Sequence, residues 1–405
     1  MKKVLLIVGI MLCLSPVFPV RADKPDVNAH GAILIDAETG RVLWGKGEHE
    51  PLAMASTTKI MTAIIALESG RMNETVTISK KAASAPKVKM NLSAGEKVRF
   101  GDLMLALMLE SSNDAAVAIA EHLHGSVADF CIAMTEKARE IGATDTIFKT
   151  ASGLDMDDHH STPYDLAIIT RYALRVPGFI GLTNTRDARF ESDKRGYSFT
   201  NRNRFLHEYP GANGVKTGYT NKAGHCFVGA AKRKIEGEDM QLISVVLASG
   251  WGDKGRSQKY KDSKEILNYG FNNYVYETIL TARDNAGEMP VTRSRGGSVG
   301  YIYEEGVRIP LNSVERVEIR VELSVPIHKK APINQGDVMG SANVYIGNDL
   351  YTSISLTATE DAARHDLKTS IEKILNAFVS QLTDKSVEVI LPELFEEPDP
   401  TTTAN

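Results

Sequence analysis

The order of elements along this chain predicts an α+β fold: a β-hairpin first, helices through the middle, then antiparallel strands with a closing helix. Ala32 to Asp36 and Arg41 to Trp44 read as the two hairpin strands, joined by the turn Ala37-Glu38-Thr39-Gly40. Residues 56–69 follow with apolar side chains at helical spacing, Ile60, Met61, Ile64, Ile65 and Leu67, and stop at Gly70. Further helices are expected at 101–110, 114–124, 126–141 and 163–174, the last entered through Thr162-Pro163, a capping residue followed by proline. Cys226 to Ala231 and Leu242 to Ser249 read as strands, and 256–270 returns to helical period. Strands from both ends of this region flanking a helical insert suggest an antiparallel sheet with helices on its faces.

After about residue 276 the pattern changes. Short alternating runs rich in Val, Ile and Tyr fill Gly296 to Pro326, and Val314–Val325, Ser341–Ile346 and Leu350–Leu356 continue them. Such runs, split by Gly306, Pro310 and Asn312, predict a small β-domain. Its charges are scattered and its one histidine, His328, stands alone, so a spacer or recognition role is expected of it. Asp361 to Leu382 then carries Leu367, Ile371, Ile374, Leu375, Phe378 and Leu382 on one helical face. The expected organisation is 1–22, 23–276, 277–359, a helix over 360–385, and a polar, Pro-bearing tail over 386–405.

Residues 1–22 read as a signal peptide: Lys2-Lys3, a mostly apolar run from Val4 to Phe18, and Val20-Arg21-Ala22 with small residues at the two cleavage-determining positions, Val20 and Ala22, cleavage falling after Ala22. The run is short and broken by Pro16 and Pro19, which argues against a retained transmembrane anchor. Cys13 lacks the small-residue approach of a lipidated cysteine. Cleavage removes Lys2, Lys3 and Arg21 and no acid, taking the formal charge from −4 to −7, so nucleic acid is not an expected partner. Two cysteines remain, Cys131 and Cys226, too few for a disulfide scaffold and without metal-ligand spacing. They read as buried small hydrophobes.

Three short stretches carry the candidate chemistry. Ser56 stands at a helix start with Lys59 one turn later on the same face, a hydroxyl at the positive end of a helix with an amine in reach. Alone, this is an ordinary capping serine with an incidental lysine. Ser111-Ser112-Asn113-Asp114 lies in an interhelical turn, where hydroxyls and amides are normally caps, and Asp114 reads as a helix-start acid complementing the dipole. Lys216-Thr217-Gly218 follows Gly214-Val215 and precedes the strand near Cys226. Together, Ser-x-x-Lys, Ser-x-Asn about 55 residues later and Lys-Thr-Gly about 160 residues later form a trio in a fixed order. Asp157-Asp158-His159-His160 resembles a metal cluster, but adjacent loop histidines rarely chelate together, and no metal or other cofactor is expected.

With this trio the chain resembles the low-molecular-mass penicillin-binding proteins, the serine-type D-alanyl-D-alanine carboxypeptidases. The resemblance also covers Leu34-Ile35-Asp36, Asn201-Arg202-Asn203, Gly214-Val215 before the third motif, Thr220, Ala223-Gly224 and Gly255-Arg256. It implies a β-lactamase/transpeptidase-like domain followed by a β-domain and an amphipathic helix. It implies that Ser56 attacks the carbonyl between two D-alanines and that Lys59 acts as base, held neutral by burial and by Lys216. Ser111 would relay a proton and Asn113 would hold the substrate peptide and Lys59. Backbone N–H groups of Ser56 and of the region near Tyr219, where the family often has His, would bind the oxyanion. Lys216 and Thr217, with Gly218 completing the motif before Tyr219, would receive the substrate carboxylate, Arg256 lying behind the strand and Arg202 near the site.

The implied partners are peptidoglycan stem peptides ending in D-Ala-D-Ala, β-lactam antibiotics and, through the terminal helix, a membrane surface outside the cytoplasm. That helix mixes Arg364, Lys368 and Lys373 with Asp361, Asp366 and Glu372, so attraction to anionic lipid is expected to be weak. A β-lactamase is an alternative, but Glu121, Glu136, Glu140, Glu191 and Glu208 lack the Glu-x-x-Leu-Asn spacing of its deacylating glutamate. A non-catalytic sensor is a third reading, against which the three intact motifs stand.

Overall fold

The computed structural model describes residues 3–6, 23–294, 296–365 and 367–383. Apart from Lys3–Leu6, the expected signal peptide lies outside the described residues, and so does the expected polar tail. The chain divides into two units, one of Val20–Tyr276 and one holding Glu277–Asn405.

The first unit is built on a five-stranded antiparallel sheet. Its order is Val42–Lys46, Gly31–Asp36, Glu238–Leu247, Gly224–Ile235 and, at the far edge, Ala212–Thr220. Alternation of side chains along each strand feeds two separate cores. Ile33 and Ile35 join the helices Lys59–Glu68, Asn113–His124, Val127–Ile141 and Pro163–Ala173 on one face. Ala32 and Leu34 pack on the other against Tyr260, Ile266, Leu267 and Phe271 of the helix Gly252–Asn273. Burial on both faces explains why the first strand is a continuous apolar run.

The hairpin, the helices and the closing helix stand where the sequence puts them, and three differences bear on the site. The strand Ala212–Thr220, which carries Lys216-Thr217-Gly218, was not expected; its burial does not alternate, with Gly214, Val215 and Lys216 buried in succession. The closing helix begins at Gly252, four residues early. The apolar helix over 101–110 is α-helical only through Phe100–Leu105 and continues as a π-helical turn, Ala106–Glu110.

In the second unit, strands Ile319–Pro326, Val338–Ile346, Asp349–Ala358, Ser298–Tyr303, Asn285–Thr292 and Lys329–Lys330 are neighbours in that order, around Met289, Val299, Leu323, Val344 and Leu356. Lys3–Leu6 pairs antiparallel with Ile319–Pro326. The run expected as a strand from Val314 is different at its start. Ser313–Val317 is a helical turn because Asn312 accepts from the N–H groups of Val314 and Glu315 while the Glu315 carboxylate accepts from Asn312 N, a complete capping box. The terminal helix spans Leu367–Thr383, not Asp361 onward. Ala362 and Arg364 instead bridge to Ile333 and Ser294.

Candidate active site

Ser56 lies in a 3-10 turn, Ala55–Thr58, that runs directly into the helix Lys59–Glu68. Ala55 has φ +47°, in the left-handed region that a side chain disfavours, so the chain is bent sharply just before the serine. The turn is held by its own threonines: Thr57 Oγ1 donates to Met54 O at 2.6 Å and Thr58 Oγ1 to Ala55 O at 2.8 Å. Lys59 emerges one turn later and is fully buried.

The Lys59 amine has three neighbours. Nζ lies 3.0 Å from Ser56 Oγ, 2.9 Å from Asn113 Oδ1 and 2.6 Å from Ser152 O. Two of these are carbonyl oxygens that only accept. A neutral amine has two protons and one lone pair, so donation to both carbonyls leaves the lone pair for the serine hydroxyl. Burial drives the pKa of Lys59 well below the ordinary lysine value, and the charge of Lys216 lowers it further; Asp114 partly opposes them. The site therefore favours the protonation state that can take a proton from Ser56.

Asn113 reaches Lys59 because of the chain path before it. The π-helical turn ends at Ser111, whose φ of +65° reverses the chain and starts the helix Asn113–His124 two residues later. Asn113 is buried, and its Nδ2 donates to Pro86 O at 3.2 Å, which fixes the amide so that Oδ1 faces Lys59. Asp114 does more than complement a helix dipole. It is buried and accepts from the N–H groups of Met90 and Leu92, both at 3.0 Å, clamping the segment that passes over Asn113.

The edge strand closes the other side. A Cβ on Gly218 would stand 3.0 Å from Ser56 N, so only glycine lets the strand approach the serine this closely. An edge strand has one row of backbone groups unpaired in its sheet, which is what an oxyanion site near Tyr219 requires. The Tyr219 side chain is exposed, lies tilted against the His225 ring with centroids 4.4 Å apart, and donates to Asn221. Lys216 is buried, with Nζ donating to Thr217 O at 3.1 Å. Burial, then Lys259 and Arg202, push its pKa down to about 7, with Glu110 opposing.

Arg256 stands on the outer side of the closing helix and acts electrostatically on Lys259 and His225. Its side chain is 71% exposed and stands 3.5 Å from Asp253, because its helical position turns it to solvent. The buried cation of that helix is Lys259, one turn further on, whose own pKa burial pushes down to about 8. The two arginines of Asn201-Arg202-Asn203-Arg204 are also separated. Arg202 forms a two-pronged ion pair with Glu110, next to Ser111, and acts electrostatically on Lys216. Arg204 pairs with Glu208 and lies over the Tyr260 ring.

Cys131 and Cys226 are buried free thiols, each pushed up to about 11 by burial. His159 is buried with both ring nitrogens engaged, Nδ1 accepting from Lys149 N and Nε2 bonded to Thr58 Oγ1.

Residues 19–250 match the family model described as D-alanyl-D-alanine carboxypeptidase. The chain belongs to this family. Residues 274–364 match the model of the penicillin-binding protein 5 C-terminal domain. D-alanyl-D-alanine carboxypeptidase DacF of Bacillus subtilis is 29% identical over 390 residues, covering 93% of this chain and 98% of the relative. DacC of Escherichia coli is 30% identical, covering 79% of this chain and 80% of its own. The crystal structure of penicillin binding protein 5 from Haemophilus influenzae superposes with a TM-score of 0.72 at 28% identity, over 85% of this chain and 100% of that one.

Within this carboxypeptidase, three site features had not been picked out from the sequence. Ser152 contributes only its backbone carbonyl, for which residue identity carries no signal. Gly153 stands out only as one glycine among 32. Lys259 was legible in principle. The buried face of its helix runs Gly255, Lys259, Asp262, Ser263, Ile266, Leu267 and Gly270, and extending the apolar period backward from Ile266 reaches Lys259.

Proposed function

We propose that this carboxypeptidase removes the terminal D-alanine from peptidoglycan stem peptides through an acyl-enzyme on Ser56. The observation that carries the assignment is the Lys59 amine, buried, 3.0 Å from Ser56 Oγ, with two acceptor-only carbonyls to receive its N–H hydrogen bonds. Lys59 accepts the hydroxyl proton as Ser56 Oγ attacks the penultimate D-Ala carbonyl. The N–H of Ser56 and that near Tyr219 hold the developing oxyanion. The proton returns by way of Ser111 to the leaving amine, freeing D-alanine. Water then attacks the ester, with Lys59 again as base, and releases the shortened peptide and Ser56. Lys216 and Thr217 receive the substrate carboxylate, and Lys259 supplies the buried charge behind them that was first looked for in Arg256. β-Lactams acylate the same serine.

The test pairs a labelled penicillin with a peptide ending in D-Ala-D-Ala. Expected are a long-lived adduct on Ser56 and release of free D-alanine. Ser56→Ala should remove the adduct and cut hydrolysis by on the order of 10⁶-fold, as loss of a nucleophile does. Rapid penicillin turnover without D-alanine release would establish a β-lactamase instead, and binding without peptide turnover would establish a sensor.

The substrate sets the site of action outside the cytoplasm, with export through residues 1–22. The terminal helix fits attachment to the membrane surface. Ile374 and Phe378, one turn apart, are 68% and 61% exposed, and no helix among the described residues is long and apolar enough to cross a membrane. Truncation after Glu360 should move the protein from the membrane fraction to the soluble one; unchanged recovery would end the anchor reading.

A further inference from the structure

The peptide that joins Ala55 to Ser56 carries both a tightly held carbonyl and the proposed oxyanion donor. In a trans peptide the C=O and N–H point in opposite directions within one rigid plane. Whatever fixes Ala55 O therefore aims Ser56 N–H. Thr58 Oγ1 donates to Ala55 O at 2.8 Å, and Gly153 covers the same oxygen so closely that a Cβ there would stand 1.9 Å from it. A hydroxyl rotor alone does not dictate where its proton goes. Its other neighbour does: Thr58 Oγ1 is 2.9 Å from His159 Nε2.

The tautomer of His159 follows from its partners. Lys149 N–H donates to Nδ1 at 3.0 Å, so Nδ1 carries the lone pair and the neutral ring has its proton on Nε2. Burial, with a smaller contribution from His160, pushes the pKa of His159 down to about 4, so the ring is neutral where the enzyme works. Nε2–H then donates into Thr58 Oγ1, and the Thr58 proton is left with Ala55 O. We propose that His159 is a positioning residue for the oxyanion site, acting through Thr58 to lock the Ala55–Ser56 peptide with Ser56 N–H facing the edge strand at Gly218. The ring nitrogens of His159 bond to Thr58 and Lys149, so they take no part in proton transfer at Ser56. Its whole effect passes through one hydroxyl and one peptide plane.

This inference rests on Ser56 being the acylated residue. Two substitutions separate the two ring nitrogens. Glutamine can reach Thr58 with an N–H in the place of Nε2, and asparagine can accept from Lys149 N in the place of Nδ1 but cannot reach Thr58. Acylation by a labelled penicillin is followed in single turnover, so that the rate constant of acylation is separated from the affinity of the first complex. His159→Asn should slow acylation about tenfold, a part of what full loss of an oxyanion donor costs, with that affinity unchanged. His159→Gln should stay within about twofold of the wild type, because it keeps the donor to Thr58. Equal acylation rates for H159N and H159Q, whether both normal or both slow, would overturn the proposal. Should H159N not fold, Thr58→Val and Thr58→Ser ask the same question. Valine removes the hydroxyl and should be slow, serine keeps it and should not be, and equal rates again sink the idea. Label retained by S56A would instead defeat the underlying assignment of the nucleophile, whatever the His159 variants do.

Discussion

Lys59→Met is expected to abolish acylation by penicillin, lowering its rate by on the order of 10³-fold or more, the contribution of a positioned general base. The side chain is fully buried, and methionine fills a similar volume without a charge. Asn113 Oδ1 and Ser152 O would lose their donor, at a cost of about 1–3 kcal/mol each, and relief from burying an amine beside Lys216 offsets part of it. Folding should survive while chemistry does not. Lys59→Arg should be equally inactive, because a guanidinium stays protonated and offers no lone pair. The pH profile of peptide hydrolysis gives an independent check. Falling pH protonates Lys59, so kcat/KM declines on the acid side, below the ordinary lysine range by the amount that burial and Lys216 impose. Rising pH through about 7 deprotonates Lys216 in the free enzyme and weakens its hold on the substrate carboxylate, so KM rises there. A kcat/KM that climbs steadily from neutrality to pH 10 would contradict the assignment of both lysines.

Gly153→Ala is expected to damage both the fold and the site. At φ +86° the backbone already sits where an alanine pays about 1–2 kcal/mol. The new Cβ would also stand 1.9 Å from Ala55 O and 2.9 Å from Ser56 N, both backbone atoms that cannot swing aside as a side-chain tip could. The loop carrying Ser152 O or the turn carrying Ser56 must move. Together these place the loss on the order of 3 kcal/mol or more. Gly237→Ala provides the control: its φ is +89° and nothing lies within 4 Å of the added Cβ. Denaturant midpoints should fall much further for Gly153→Ala than for Gly237→Ala. Acylation measured on the folded fraction should fall only for the former. Similar behaviour of the two variants would mean that the close approach at Ala55 is dispensable.

The residues themselves announced a good deal of this protein. Ser56 and Lys59 are three apart at a helix start, so their shared face is a local matter of helical geometry. The hairpin Gly31–Asp36 and Val42–Lys46 and the helix entered at Thr162-Pro163 follow from turn and capping chemistry that acts over a few residues. Even the π-helical turn before Ser111 sits in a segment whose helical character was plain.

Legible along the chain, then, are the reacting groups, their order, and the α+β arrangement that could bring them together. The tertiary structure alone decided their protonation and their aim. Lys59 is poised by a carbonyl 93 residues away, an amide 54 away, and the charge of Lys216 on the edge strand. Of the two cations on the closing helix, Lys259 is buried and Arg256 exposed, because a helix begun at Gly252 turns one inward and the other to solvent. Periodicity is a short-range property of the chain, whereas desolvation and the direction of a peptide plane depend on what packs against it from elsewhere.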